Sequence, residues 1–289
     1  MTGRLSGDTA IITGSSQGIG KGIAEHFAAE GANVVVNSRS QERAEEAAEA
    51  IEAEGGTAIG VEADVTDEDE MAALVETTVE EFGRLDVFVN NAGVTTLGPA
   101  EEFDVDDWRE VVEVDLVGTF VGCQAAGRQM IEQEEGGAIL NMSSLMGGRG
   151  LQLRSPYCAS KAGVNNLTQT LAVEWAEHDV HVNALAPGFI WTEITEQTQG
   201  SAGYTNDDIR DRTPLGRFGT VEEMAECALF LVSRNNFVTG EVLYADGGWQ
   251  AYGWGAATSR APRNSESIVW SQQPVLAGSP GGHWTRRHE

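Results

Sequence analysis

The chain has 289 residues, a length compatible with one large α/β domain or two small ones. Its formal net charge of −27 disfavours nucleic acid and anionic membranes as partners, and no apolar run approaches the ~18 residues of a membrane helix. Three widely spaced cysteines, five scattered histidines and an N-terminus without an apolar signal stretch predict no disulfide framework, no metal site and a cytoplasmic location.

Short apolar runs alternate with amphipathic stretches along most of the chain. This alternation predicts βαβ units and a single α/β domain built on a doubly wound parallel sheet, the Rossmann fold. We predict seven strands, at residues 9–13, 33–37, 57–62, 85–89, 138–142, 180–184 and 242–245. The predicted helices are one that ends at residue 30 and four at about 41–54, 66–82, 106–133 and 156–178.

Two segments lack a clear period. Residues 189–217 are rich in Gly and Thr, and an irregular run of that length in a compact domain is typical of a lid over a site. Residues 255–289 are rich in Gly, Ser and Pro and carry a charge of +2, which leaves −29 on the rest. We therefore predict one folded α/β domain over 1–254 and a poorly ordered C-terminal extension over 255–289.

The first strand leads directly into a glycine-rich loop that opens a helix. Gly14, Gly18 and Gly20 permit a tight turn and let backbone amides approach a pyrophosphate, which then lies at the N-terminus of the helix. The spacing differs from the commonest dinucleotide fingerprint, so an ordinary strand-to-helix turn is the alternative.

Lysine is scarce in this chain, which contains only Lys21 and Lys161 beside sixteen arginines. Lys161 follows Tyr157 by four residues, so on a helix the two side chains share one face. A nearby ammonium favours the ionised form of a phenol, which makes Tyr157 a candidate proton donor and acceptor. A surface pair without function is the alternative for this motif alone.

Taken together, the motifs resemble the classical short-chain dehydrogenase/reductase family. The resemblance rests on TGSSQGIG at 13–20, NNAG at 90–93, Ser143-Ser144, Tyr157-x3-Lys161 and Pro187-Gly188-x3-Thr192, in the family's order over about residues 5–254. It implies an NAD(P)-dependent oxidoreductase that acts on CH–OH groups.

The resemblance also implies roles for individual residues. Tyr157 is the expected general acid/base, Ser144 rather than Ser143 holds the substrate oxygen, and Lys161 contacts the nicotinamide ribose. Asp115 stands where the family usually has an asparagine in the proton relay. The expected cofactor-binding residues are Thr13, Gly14, Ser16, Gln17, Gly18, Ile19, Gly20, Ser38, Arg39, Asp64, Val65, Asn91, Ala92, Gly93, Tyr157, Lys161, Pro187, Gly188, Ile190 and Thr192. For Asp64, a helix-entry cap is the alternative.

The end of the second strand bears on the choice of cofactor. Asn37-Ser38-Arg39-Ser40 offers a guanidinium where NAD enzymes often have an acid for the ribose 2′-hydroxyl. Because guanidinium pairs well with phosphate, we predict NADP(H), with NAD(H) still possible. A surface position for Arg39 is the alternative.

The sequence constrains the substrate less. Arg149, Gln152 and Arg154 precede Tyr157, and Trp191, Glu193 and Tyr204 lie in the predicted lid. Arginines beside a cleft can bind a carboxylate or phosphate, although at a rim they more often pair with surface acids. We favour a sugar or polyol; a 3-oxoacyl thioester and, in another class, a non-catalytic NADP(H) sensor or scaffold stay open. The family's usual assembly implies a homotetramer, or a homodimer.

The acidic excess and the depletion of lysine resemble the composition of cytoplasmic proteins from salt-loving microbes. In such cells concentrated salt screens the self-repulsion of the charged surface. Ordinary acidic solubility is the alternative.

Overall fold

The structure of the chain is a computed structural model that describes residues 3–192, 204–234 and 236–252. The predicted extension at 255–289 and Glu193 of the predicted lid lie outside the described residues.

A seven-stranded parallel sheet forms the centre of the described fold, with strand order β3-β2-β1-β4-β5-β6-β7. Val35 and Phe88, for example, flank Ile11 in register on β2 and β4. The predicted Rossmann fold with seven strands is therefore confirmed. The strands are β1 (Thr9–Ile12), β2 (Asn33–Ser38), β3 (Thr57–Glu62), β4 (Val87–Asn90), β5 (Gly137–Met142), β6 (Val180–Pro187) and β7 (Val242–Ala245).

Helices cover both faces of this sheet. They are α1 (Gly18–Ala29), α2 (Gln41–Ala53), α3 (Glu68–Phe82), α4 (Val105–Val112), α5 (Gly118–Glu132), α6 (Ser155–Glu174), α7 (Asn206–Arg212) and α8 (Val221–Val232). On one face α1, α2 and α8 pack apolar side chains such as Phe27 and Leu229 against the strands. On the other face α3, α5 and α6 contribute Leu74, Met130 and Leu171 to a second core.

Two of the predicted elements need correction. The helix predicted over 106–133 is interrupted by a π-helical turn at Glu113–Val117, which separates α4 from α5. The segment 189–217, predicted without regular structure, contains α7. This helix begins at a capping box in which the Thr205 side chain accepts from the backbone of Asp208 and the Asp208 carboxylate accepts from Thr205. A second capping box, Thr220 with Glu223, starts α8, where the sequence analysis placed no element.

The strand order creates a crevice at the carboxyl ends of β1 and β4. The chain leaves these neighbouring strands toward opposite faces of the sheet, which is where ligands bind in doubly wound folds. None of the described helices is long and apolar enough to cross a membrane. Among the described residues, no three His, Cys, Asp or Glu side chains are grouped as metal ligands.

Candidate active site

A cleft of about 1170 Å³ lies at this crevice and brings the predicted site residues together. All of them line it except Thr13 and Asp115, which lie just behind its wall. The hydroxyl of Thr13 accepts hydrogen bonds from the backbone amides of Asn91 and Ala92, at 2.9 and 3.1 Å. Thr13 thus joins the loop after β1 to the loop after β4.

The glycine turn leaves an open cradle in this cleft. Gly14 has φ +60°, and a Cβ there would lie 2.9 Å from the Cα of Ala92, so a side chain would disturb the contact between the two loops. Gly18 also has φ +60°, but nothing lies within 4 Å of the position of its Cβ. Helix α1 starts here without a side-chain cap and without an acid in its first turn. Its N-terminal amides are therefore available to an anion.

Tyr157 and Lys161 share one face of α6, as their spacing predicts. The Lys161 Nζ lies 5.5 Å from the centroid of the Tyr157 ring. It also donates to the carbonyl of Met142 at 3.0 Å, which anchors the buried ammonium at the end of β5. The phenol ring is half-buried and lines the cleft, so it can reach a bound molecule.

Asp115 lies in the π-helical turn, and its carboxylate faces Lys161. One oxygen, Oδ1, accepts from the backbone amide of Val94 at 2.7 Å. The other oxygen, Oδ2, lies 3.4 Å from Lys161 Nζ. Burial raises the pKa of the Asp115 carboxyl, while the Lys161 charge and the Val94 amide act in the opposite direction. Asp115 can therefore act on the cleft through Lys161.

The two adjacent serines differ in what their hydroxyl groups bind. The Ser143 hydroxyl donates to Asn165 Oδ1 at 2.5 Å and is thereby held against α6. The Ser144 Oγ accepts from the backbone amide of Met146 at 3.2 Å. This bond does not use the hydroxyl hydrogen of Ser144, which can donate to a molecule in the cleft.

Asp64 does not cap a helix. Its Oδ1 accepts from the backbone amide and the hydroxyl of Thr66, at 2.9 and 2.7 Å. The backbone hydrogen bond from Thr66 lowers the pKa of Asp64. The cap of α3 is Asp67, whose side chain accepts from Asp69 and Glu70. The alternative reading of Asp64 as a helix-entry cap is therefore wrong, and its carboxylate lines the cleft.

Two arginines line the end of the cleft beyond β2. Arg39 follows the strand, and Arg43 lies in the first turns of α2. Both side chains are exposed and neither forms an ion pair among the described residues, although the charge of Arg39 helps to lower the pKa of Asp64. The sequence analysis missed Arg43. Its spacing of four residues from Arg39, across the start of a helix, is the signal that could have found it.

The charge of the cleft is opposite to that of the chain. Its described lining includes one acid, Asp64, and four basic residues, Arg39, Arg43, Arg154 and Lys161. The full chain has 45 acidic residues against 18 basic ones. A positive pocket within so acidic a protein attracts anionic ligands.

The arginines that precede Tyr157 have different surroundings. Arg149 is exposed and donates to Gln250, both to the side chain and to the carbonyl at 2.8 Å, and it does not line the cleft. Arg154 lines the cleft and donates to the hydroxyl of Tyr204 at 2.6 Å. Of the predicted substrate-side residues, the structure thus brings Arg154 and Tyr204 to the cleft.

Sequence comparisons agree with this geometry. The family model described as Enoyl-(Acyl carrier protein) reductase matches residues 14–250. Glucose 1-dehydrogenase 2 of Bacillus subtilis (strain 168) is 41% identical over 251 residues, covering 86% of this chain and 96% of that protein. Gluconate 5-dehydrogenase of Gluconobacter oxydans (strain 621H) is 40% identical over 245 residues, covering 84% of this chain and 95% of that protein.

Among solved structures, a gluconate 5-dehydrogenase from Burkholderia cenocepacia J2315 in complex with NADP and tartrate superposes with a TM-score of 0.81. It is 35% identical, and the match covers 86% of this chain and 97% of that one. The likeness extends over nearly the whole length of these proteins, including the segments that form the cleft.

Proposed function

Because the chain belongs to the short-chain dehydrogenase/reductase family, we propose that it transfers a hydride between NADP(H) and a hydroxyl-bearing carbon of a sugar or polyol. One observation carries the proposal: the Tyr157 ring, the Lys161 ammonium and the glycine turn lie together in one cleft. The relatives named glucose 1-dehydrogenase and gluconate 5-dehydrogenase support the sugar class. The neighbouring complex with NADP and tartrate supports the cofactor.

The residues of the cleft fit a dinucleotide phosphate. The glycine turn has room for a pyrophosphate, because nothing lies within 4 Å of a Cβ at Gly18. Arg39 and Arg43 offer two guanidinium groups for a 2′-phosphate, and Asp64, which lies near Arg39, would meet the adenosine. NAD(H) lacks that phosphate and would leave both guanidinium groups without a phosphate partner, so we favour NADP(H).

When bound, the nicotinamide supplies the hydride chemistry. The chain's own residues handle the proton. We assign general acid/base catalysis to Tyr157, whose phenolate oxygen takes the alcohol proton on oxidation and whose hydroxyl gives it back on reduction. The Lys161 ammonium, 5.5 Å from the ring centroid, stabilises the phenolate by its charge. Ser144 donates its hydroxyl hydrogen to the substrate oxygen and so orients the reacting carbon.

The proposal is tested by a substrate screen in molar potassium chloride with NADP⁺ and NAD⁺, following the absorbance of the reduced cofactor. We expect oxidation of sugars, polyols or their acids, with higher kcat/KM for NADP⁺. Turnover of 3-hydroxyacyl thioesters alone would instead support the thioester reductase. Cofactor binding without turnover of any substrate would support the non-catalytic sensor.

Tyr157→Phe is the critical variant of this screen. It removes only the phenolic oxygen, so we expect turnover to fall at least ~100-fold while NADPH affinity, measured by fluorescence, stays within about threefold. Tyr252→Phe is the matched control, because Tyr252 does not line the cleft. A Tyr157→Phe enzyme with near-full rates would contradict the assignment of the acid/base.

We further propose that residues 1–254 act as the catalytic unit of a homotetramer, or of a homodimer. Phe120 on α5 is 42% exposed and Val173 on α6 is 80% exposed, so both helices offer apolar side chains to a neighbouring subunit. Light scattering during size exclusion tests this, and a monomer at working concentration would contradict it. We also propose a cytoplasmic location in a salt-adapted cell, for which the unpaired cysteines and the net charge of −27 are the support.

A further inference from the structure

Resting on the proposed function, we propose that the substrate is a polyhydroxy acid and that Arg154 binds its carboxylate. This assignment goes beyond hydride transfer at a sugar or polyol, because it separates a charged substrate from a neutral one. It rests on three observations: Arg154 forms no ion pair among the described residues, Leu153 before it has a left-handed backbone, and the first turn of α6 carries no acid.

Arginines in the described part of the chain commonly pair with carboxylates, as expected for so acidic a protein. Six of them form such ion pairs: Arg4, Arg84, Arg109, Arg210, Arg217 and Arg234. The other six described arginines form no ion pair with a described residue: Arg39, Arg43 and Arg154 line the cleft, whereas Arg128, Arg149 and Arg212 do not. A guanidinium without a protein anion, inside a cleft, is available to an anion from solution.

The backbone in front of Arg154 adopts a conformation that is uncommon for its residue type. Leu153 has φ +65°, in the left-handed region where a bulky side chain is strained. Its carbonyl accepts from the amide of Gly98 at 3.0 Å, which fixes the segment against the loop that follows β4. The chain thus holds a strained turn immediately before Arg154, and the Arg154 side chain lies in the cleft.

The hydrogen bonds of Arg154 leave part of its guanidinium group unused. Nη2 donates to the Tyr204 hydroxyl at 2.6 Å, and Nη1 lies 3.5 Å from the hydroxyl of Thr95. Nε is buried and has no hydrogen-bond partner among the described residues. Both neighbours are neutral hydroxyl groups, which can themselves donate to an anion. The remaining N–H groups of Nη1 and Nη2, together with the two hydroxyl groups, can therefore bind a carboxylate that enters the cleft.

The N-terminus of α6 supports the same ligand charge. Helices α2, α3, α4, α7 and α8 each carry an acid in the first turn. Helices α1, α5 and α6 have neither a first-turn acid nor a side-chain cap, but α5 continues directly from the π-helical turn and so has no free N-terminus. That leaves α1, at the glycine turn, and α6, which begins after Arg154. Because a helix N-terminus attracts negative charge, an anionic ligand can supply the negative charge that the first turn of α6 lacks.

The spacing between Arg154 and Tyr157 relates the proposed carboxylate site to the site of hydride transfer. Arg154 precedes Tyr157 by three residues at the start of the helix, and both line the cleft with Ser144. A carboxylate at Arg154 would therefore hold the substrate by an end while a hydroxyl-bearing carbon reaches Tyr157. One planar guanidinium matches a planar, singly charged carboxylate. A phosphate carries more negative charge, so the single positive charge of the guanidinium would neutralise less of it.

The inference is tested by calorimetric titration of the wild-type protein, saturated with NADPH in molar potassium chloride so that no probe can be oxidised, with three probes: D-gluconate, sorbitol and sorbitol 6-phosphate. We expect gluconate to bind at least about tenfold more tightly than sorbitol, since hydrogen bonds to charged groups are the stronger ones. Arg154→Gln should weaken gluconate binding about 10- to 100-fold and change sorbitol binding less than about threefold. Arg154→Lys should restore part of the loss, because it keeps the charge but not the fork.

Arg149→Gln is the matched control, since it removes an arginine of the same segment that does not line the cleft, and it should change neither affinity. Equal binding of gluconate and sorbitol to the wild type, or equal losses for both in Arg154→Gln, would overturn the inference. Tighter binding of sorbitol 6-phosphate than of gluconate would overturn the carboxylate assignment. If Arg154→Gln does not fold, the comparison of probes on the wild type and the Arg154→Lys variant still test whether Arg154 binds a carboxylate.

Turnover separates this inference from the proposed function. If sorbitol and gluconate are oxidised equally and Arg154→Gln affects neither, the dehydrogenase stands and the inference fails. If gluconate binds through Arg154 but no substrate is oxidised, the anion site stands and the proposed function fails. Where both hold, the loss in Arg154→Gln should lie mainly in KM for gluconate.

Discussion

The ammonium of Lys161 and the carboxylate of Asp115 lie 3.4 Å apart, with the side chains only 5% and 0% exposed. Removing one member of a buried ion pair leaves the other charge uncompensated, whereas exchanging both often costs little. Asp115 is also bonded to the Val94 amide, next to the NNAG segment. The pair therefore connects the π-helical turn, the catalytic helix α6 and the loop after β4.

Asp115→Asn tests what this carboxylate contributes. Since the amide keeps an acceptor for the Val94 N–H, we expect kcat/KM to stay within about tenfold of the wild type, although the charge beside Lys161 is removed. We expect the pH profile to change more, because a titrating group beside the base is lost. Steady-state rates across the pH range measure both, and an unchanged profile would show that Asp115 has no electrostatic role.

The same variant makes a prediction about stability. Burial raises the pKa of Asp115 above its ordinary value of 3.8, so between these two values the folded state binds more protons than the unfolded state. The contribution of the group to stability is then complete below the ordinary value and is lost as pH rises through the raised one. The free energy of unfolding of Asp115→Asn, relative to the wild type, should therefore increase as pH rises across that window. Urea titrations at several pH values measure it, and a constant difference would contradict the prediction.

Arg39 and Arg43 predict the cofactor preference of the cleft. Arg39→Ala with Arg43→Ala removes two guanidinium groups and should weaken NADPH binding about 10- to 100-fold. NADH has no 2′-phosphate, so its affinity should change less than about threefold. Fluorescence titration measures both. Arg128→Ala, outside the cleft in the groove between α3 and α5, is the control. Equal losses for the two cofactors would contradict a phosphate contact.

Much of the fold could be predicted because its signals are local. The strands Thr57–Glu62 and Val242–Ala245 end where polar or glycine residues interrupt an apolar run, and both were predicted with their observed bounds. Helix α7 was missed because its capping box lies in a segment of weak periodicity. The π-helical turn at Asp115 was missed because one extra residue in a turn leaves no mark on a long helical pattern.

Site residues could be predicted from the sequence where they belong to a motif. They could not be predicted where the fold determines which residues line the cleft. The spacing of Tyr157 and Lys161 is a property of any helix, so their shared face followed from sequence alone. Arg149, Gln152 and Arg154 were all candidates for the substrate side. Which of them reaches the cleft depends on the backbone, including the left-handed conformation at Leu153, which no residue preference indicates. Arg43 lines the cleft because β2 lies next to β1 in the sheet, so that α2, which follows β2, begins beside the cleft.

Cys123 gives a prediction about reactivity. It is fully buried, and this burial raises the pKa of its thiol to about 12, despite hydrogen bonds with Asn90 and Asn141. Since the thiolate is the reactive form, Cys123 should resist alkylation in the native protein at mildly alkaline pH. Mass spectrometry of peptides after iodoacetamide treatment measures this, with the unfolded chain as the control. Rapid native labelling of Cys123 would show that the core opens there.

Salt should control stability more than in an ordinary acidic protein. With a net charge of −27, self-repulsion favours unfolding in dilute buffer, and concentrated salt shortens its range from ~10 Å at about 0.1 M to ~3 Å at about 1 M. We expect Tm to rise by about 10 °C or more between low and molar potassium chloride. Calorimetry or fluorescence melting measures the shift.

A charge variant distinguishes this repulsion from a general effect of salt on burial. Glu46, Glu49 and Glu52 are exposed on α2, away from the cleft, and replacing all three by Gln reduces the negative charge without touching the core. If repulsion is the cause, the variant should be more stable in dilute buffer and gain less from added salt, because less charge remains to be screened. An equal gain in variant and wild type would mean that salt acts mainly through apolar burial, since that contribution does not depend on surface charge. A wild type that keeps its Tm and activity in dilute buffer would contradict the salt-adapted proposal itself.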